Sequence, residues 1–261
     1  MDGFSFLMMA QHHFSASGLN YYVDPLKFKL PLKINFLFYL NFLFKGPYSM
    51  LLELNNKFNK IHWNLPQNTI KSGKRVYTWA PKLKLEKIQA IRKKTGSKET
   101  SVTNVIITVA AIALAKILPE KKKLPQIQVQ EIIALLPYPN SNPQNRFTAF
   151  TYPVSMRTDE PMKTLKSTTQ NCFQRLIGAL PLCYYYALKL VGHLPSAVAN
   201  CMFYGTNHTI CYSNIPLSRT YAKCFGTNLL DFYAYPPQRD DNGTFIILFS
   251  PHGSFCDYLK C

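Results

Sequence analysis

His12 and His13 stand side by side ten residues after an Asp2–Gly3 pair, and these are the groups near the start of the chain suited to acid–base chemistry. A histidine on a rigid element supplies a base near neutral pH. Transfer to a hydroxyl needs that base within hydrogen-bond reach, and donors aimed at the developing oxyanion. The stretch QHHFSASG reads as His12-His13-x-x-x-Ser17-Gly18, in which Ser17 can cap a turn but offers no carboxylate. Two readings stand for His13: a base, or an ordinary residue near the end of a helix. Asn104, Ser213 and Asn214 are the candidates for substrate binding. Asn214 at a strand end suits either a donor to an oxyanion or a turn residue. Thr103 and Asn104 fall in an apolar helix, where a buried polar group must find a partner. Ser155, Ser213 and Ser250 lack the Gly-x-Ser-x-Gly setting of a hydrolase nucleophile, and His252 before Gly253 reads as a loop residue.

The seven cysteines are odd in number and none lie at C-x-x-C spacing, so neither a disulfide framework nor a zinc site is expected. No metal or resident cofactor is expected, and a reducing compartment fits. Lysine and arginine number 30 against 13 acids, a formal charge of +17, which favours anionic partners. The densest basic stretch, residues 71–98, holds ten cations and one acid, Glu86. It reads as a solvated face, because no recognition motif or aromatic platform for nucleic acid accompanies it. Nucleic acid is therefore not an expected partner.

The elements that must position these groups follow from periodicity. Residues 2–13 read as a helix capped by Asp2, residues 74–82 as a strand carrying Trp79, and residues 84–94 as an amphipathic helix stopped by Gly96. A strongly apolar helix, buried on most faces, is expected over residues 101–118. Strands are expected over 130–138 and 146–154, separated by the turn PNSNPQN. Asp159-Glu160-Pro161 opens a long helix to about residue 180, and a tyrosine-rich helical stretch continues to His193. Strands follow over 208–215, 229–235 and 244–250. Helices mixed with strands predict an α/β or α+β sandwich. The apolar run INFLFYLNFLF, residues 34–44, is too short for a membrane span. It suits a membrane interface, with Lys33 and Lys45 toward lipid headgroups, or a core or lobe-bridging helix.

Several blocks resemble one family. Met1-Asp2-Gly3-Phe4-Ser5-Phe6-Leu7 resembles the tail of the His-His-x-x-x-Asp-Gly motif of CoA-dependent acyltransferases, with Met1 at the third x. Residues 72–118 are similar to the segment of wax ester synthase/diacylglycerol acyltransferases that leads into their Thr-Val-Asn-Asp-Val helix. There Val102 matches Val, Thr103 replaces Asn and Asn104 replaces Asp. The likeness continues in Asn145-Arg146-Phe147, in PMKTLKS, and in Ser213-Asn214-Ile215-Pro216, which resembles the family's Thr-Asn-Val-Pro-Gly-Pro turn with Leu217 and Ser218 in place of Gly and Pro. The closing GTFIILFSPHGSFCDYLKC resembles the family's late strand and turn but stops early.

The resemblance implies an α/β, chloramphenicol-acetyltransferase-like two-lobed sandwich with a tunnel between the lobes. Its first lobe would be largely missing. Residues 1–70 would be a remnant of that lobe plus an amphipathic linker, and residues 71–261 the crossover and C-terminal lobe. It implies transfer of a long-chain acyl group from acyl-CoA, as substrate, to diacylglycerol or a fatty alcohol. Asp2 and Gly3 would be a motif remnant with a structural role, the base histidine of the pattern falling before Met1, and little turnover is expected from residues 1–261 alone. A membrane surface is an expected partner, on the cytoplasmic face of the endoplasmic reticulum or plasma membrane. The alternative is an inactive lipid-surface or CoA-binding module.

Overall fold

The computed structural model describes residues 39–55, 78, 84–118, 124–134, 147–197, 208–216, 223–224, 227–228 and 244–250. The strands expected over 74–82 and 229–235 and the helix over 2–13 lie outside the described residues, residue 78 aside.

Ser101 shows how closely local chemistry sets a boundary. Its backbone is extended, its hydroxyl accepts from the Asn104 N–H at 2.8 Å, and the Asn104 side chain accepts in return from the Ser101 N–H at 2.9 Å. This reciprocal cap starts α3 (Val102–Ile117). Ahead of it, α2 (Leu85–Lys94) carries Glu86 in its first turn and Arg92, Lys93 and Lys94 in its last, as the helix dipole favours. It closes on Gly96, whose φ of 69° is left-handed. Before both runs α1 (Gly46–Asn55), entered through the π-helical turn Asn41–Lys45.

After α3 come β1 (Gln126–Ala134), β2 (Phe147–Ser155), α4 (Pro161–Leu176), α5 (Leu180–Val191), β3 (Ile210–Pro216), the short β4 (Lys223–Cys224) and β5 (Thr227–Asn228), and β6 (Thr244–Ser250). The main sheet has the order β2-β1-β3-β6. β1 pairs antiparallel with β2, from Gln126↔Ser155 to Ala134↔Phe147. β3 runs parallel to β1 and to β6, with Val129↔Ile210 and Ile210↔Thr244 in register. The architecture is mixed α/β, as expected. Pro153 is tolerated because β2 is an edge strand, and its carbonyl accepts from Asn171 Nδ2 of α4 at 3.0 Å.

Alternation decides which side chains enter the core. Thr148, Phe150, Tyr152 and Val154 of β2 and Ile127, Val129 and Glu131 of β1 are buried, and their strand neighbours are half-buried or exposed. That face meets Ile107, Ala111 and Ala115 of α3 and Cys172 of α4. α5 packs on β2 as well, where Thr148 Oγ1 donates to the Pro181 carbonyl. A second cluster, Ile88, Val102, Val105 and Leu165, fastens α2 to α3 and α4.

Two expectations are corrected. β1 begins at Gln126, four residues before the expected start, just after Pro125, and pairs as far as Ala134 opposite Phe147, the first residue of β2; residues 135–138 lie outside the described residues. The helix opened by Pro161 ends at Leu176 and not near residue 180, with a break at Ile177–Ala179 around Gly178, and the tyrosine-rich stretch expected after it is α5, restarted by Pro181. α3 is buried or half-buried on most faces, as expected, and leaves one narrow stripe of Val109, Ala113, Lys116 and Ile117 exposed.

Candidate functional site

The core face of the sheet carries one carboxylate. Strand parity puts Glu131 inward between Phe150 of β2 and Tyr212 of β3, and only 5% of its surface is exposed. The Tyr152 hydroxyl donates to Glu131 Oε2 at 3.0 Å, and the Cys172 thiol of α4 donates to the same oxygen at 3.5 Å. Burial pushes the Glu131 carboxyl from 4.5 up to about 7, against the opposing pull of the two donors. At neutral pH this acid is therefore divided between its two protonation states.

The groups around it respond to the same dry setting. Burial pushes the Cys172 thiol well above its usual range, and the neighbouring Glu131 charge pushes it further. Hydrogen bonding from Asn104 works the other way, so the residue that caps α3 also reaches the buried thiol. Burial likewise raises the Tyr212 phenol, opposed by the Thr103 side chain and reinforced by Glu131. The Tyr212 hydroxyl has no partner within normal hydrogen-bond geometry. Phe150 and Tyr152 stack at 5.7 Å between centroids. On the opposite face of β3, the Cys211 thiol is pushed up to about 12 by burial and donates to Gln130 Oε1 at 3.7 Å.

This arrangement can hold a proton on Glu131, or its charge with the Tyr152 hydroxyl as donor. It does not make a nucleophile, because burial favours the neutral thiols at Cys172 and Cys211. Among the described residues, no group of three or more His, Cys, Asp or Glu could hold a metal ion.

Of the residues singled out from sequence, Asp2, Gly3 and His13 lie outside the described residues. Asn104 is 1% exposed and completes the Ser101 cap, accepting from Ser101 N and from Ser101 Oγ at 2.7 Å. Ser213 and Asn214 are half-buried on β3, in register with Ile247 and Leu248 of β6, and Ser213 also faces Ile132 of β1. By alternation Asn214 shares the face of Tyr212, two residues beyond the Glu131 row, whereas Ser213 shares the face of Cys211. Asn104 thus joins the buried cluster, and Asn214 lies along the strand from it. Sequence reasoning missed Glu131, Tyr152, Cys172 and Tyr212. The available signal was a single acid in QIQVQEIIA at the parity of Ile127 and Val129.

A mixed sheet with its helices gathered over a buried polar centre defines an α/β domain, and β2 through β6 lie inside the stretch that identifies its kind. Residues 144–255 match the family model of the WS/DGAT C-terminal domain. That match makes this stretch consistent with the C-terminal part of a WS/DGAT protein, as the resemblance in the sequence implies, and it points to an acyltransferase family. Tyr152, Cys172, Tyr212, Ser213 and Asn214 fall within it, and Asn104 and Glu131 precede it. A search of curated proteins finds no match to the chain.

Proposed function

We propose that the chain is part of an acyl-CoA:alcohol O-acyltransferase, in which a long-chain acyl group passes from CoA to diacylglycerol or a fatty alcohol. The observation that carries this reading is the WS/DGAT C-terminal match over residues 144–255. The family-like blocks also fall at structural turning points. Arg146-Phe147 leads into β2, PMKTLKS opens α4, and Ser213-Asn214-Ile215-Pro216 closes β3. In the two-lobed, chloramphenicol-acetyltransferase-like arrangement proposed for the whole enzyme, this sheet belongs to the second lobe. Asn214, at the end of β3, is assigned to the substrate side, and Asn104 to holding α3 in place. The cationic excess suits the phosphates of CoA.

The tandem histidine His12-His13 is followed by Ser17-Gly18, with serine where the acyltransferase pattern has its acid. The expected outcome for the purified chain is CoA binding by calorimetry with little transfer of radiolabelled acyl groups to diacylglycerol or fatty alcohol. Robust turnover that survives His13→Ala would overturn the assignment of the base, and absence of CoA binding would overturn the substrate class. A second reading, a lipid-surface module without turnover, is favoured by the apolar residues exposed on α1 and α5.

A further inference from the structure

The helix over residues 39–55 carries apolar residues on two sides, and among the described residues one of these has a partner. Its inner side rests on α5. Phe42 meets Tyr186 edge to face at 5.9 Å, the Cys183 thiol donates to the Phe42 carbonyl at 3.5 Å, and Gly46 is buried where a Cβ would collide with Cys183 Sγ. The outer side carries Tyr39, Leu43, Phe44, Tyr48, Leu51 and Leu52, all exposed, Phe44 by 70%. Tyr39 and Leu43, Phe44 and Tyr48, and Tyr48 with Leu51 and Leu52 are three or four residues apart and so neighbour one another on the helix surface. Tyr186 and Leu190 of α5 are also exposed, beside a Lys189 ammonium that sits 4.7 Å from the Tyr185 ring centroid. A helix that exposes this much apolar surface beside its polar row Asn41, Lys45, Ser49 and Glu53, next to a second helix with exposed apolar residues, calls for a cover.

Charge selects the cover. Between residues 27 and 60 the sequence has six lysines and one acid, Glu53, and Lys45 lies within the helix beside Phe44. The helix is shorter than the roughly 20 residues that a span requires. Among the described residues, none is long and apolar enough to cross a membrane. Leucine and phenylalanine on the outer side, Tyr39 and Tyr48 among them, and lysines in and around the segment form the pattern of a helix lying in the headgroup boundary.

We propose that the outer stripe of the helix over residues 39–55, together with Tyr186 and Leu190 of α5, docks this protein on an anionic lipid bilayer. Phe44, Leu43 and Leu51 enter the acyl boundary, and Lys45 and Lys189 meet the headgroup phosphates. The proposal rests on the functional reading only for the lipid nature of the substrate.

The test is co-sedimentation of the full chain with vesicles of phosphatidylcholine alone and of phosphatidylcholine with phosphatidylserine, with no acyl-CoA present. This keeps its failure distinct from failure of the transferase reading. The wild type should bind the anionic vesicles and be weakened by added salt. Leu43→Ser/Phe44→Ser should lower partitioning at least about tenfold. Val109→Ser, at an exposed apolar site on α3, should leave it unchanged. Lys45→Glu leaves the apolar face intact and should still weaken binding, which keeps the test decisive where the double variant fails to fold by circular dichroism. The proposal is overturned by a wild type that ignores anionic vesicles, by binding insensitive to both the Leu43→Ser/Phe44→Ser and the Lys45→Glu variants, or by a wild-type dimer that the variants split. The last result would assign the stripe to a second copy of the chain.

Discussion

Glu131→Gln isolates the cost of placing a carboxyl in the sheet core. The native carboxyl holds its proton to about pH 7, whereas in the unfolded chain it ionises near 4.5. The folded value is raised, so the contribution of Glu131 is fully present below about pH 4.5 and is lost as pH rises through about 7. At about 1.4 kcal/mol for each tenfold change in proton affinity, the loss approaches about 3 kcal/mol. That is a large share of the 5–15 kcal/mol typical of a whole domain. Glutamine keeps the shape, still accepts from the Tyr152 hydroxyl and never ionises. Urea unfolding of both proteins at about pH 5 and about pH 8.5 should show the variant gaining on the wild type by roughly 2.5 kcal/mol between the two conditions. A stability difference that stays flat within about 0.5 kcal/mol would refute the reasoning, because it would mean that the ionised form is held in the fold without penalty. Tyr152→Phe is the companion: it removes a donor to the carboxylate and should move the wild-type transition to higher pH.

Ser101→Ala removes the oxygen that accepts from Asn104 N inside the fold, and should cost about 1–2 kcal/mol in chemical denaturation. Gly46→Ala sets a methyl against Cys183 Sγ and should destabilise the α1–α5 contact by about 1 kcal/mol or more. In a Cys183→Ala background the same change should be neutral or stabilising by up to about 1 kcal/mol, since alanine is the better helix former. Additive effects in that cycle would show that the two residues do not meet.

Where chain-local chemistry dominates, the sequence was sufficient. The α3 cap at Ser101, the proline start of α4 and the alternation of β2 all lie in the order of neighbouring residues, and the structure places each within a residue of expectation. β1 was less legible because its limits depend on β2, a partner distant in sequence. The apolar run at 34–44 was visible as a short amphipathic or core segment, but its extension to Asn55 was hidden by Gly46-Pro47, which reads as a turn. The π-helical turn explains the continuation. Gly46 N–H bonds to the Asn41 carbonyl just before a proline that has no N–H to give. Of the candidate site, Asn104 and the end of β3 were legible as motif positions. The Glu131 cluster was not, because its members come from β1, β2, α4 and β3 and meet only when the sheet forms.

The bond from Tyr152 to Glu131 also bears on how the hairpin finds its alignment. These side chains are not direct partners across the strands: Glu131 faces Phe150, and Tyr152 faces Val129. Their hydrogen bond is therefore diagonal, and only one alignment of β1 on β2 allows it. Sliding either strand by one residue would turn its inward set to the other face. The acid would then lose its donor, or a phenol and a carboxyl would exchange places with half-buried glutamines and threonines. Hydrophobic side chains tolerate such substitutions among themselves, and a core of valine and isoleucine alone would discriminate weakly between neighbouring alignments. The polar pair makes the wrong ones distinguishable, so the acid that lowers stability at high pH also selects a single pairing of the strands.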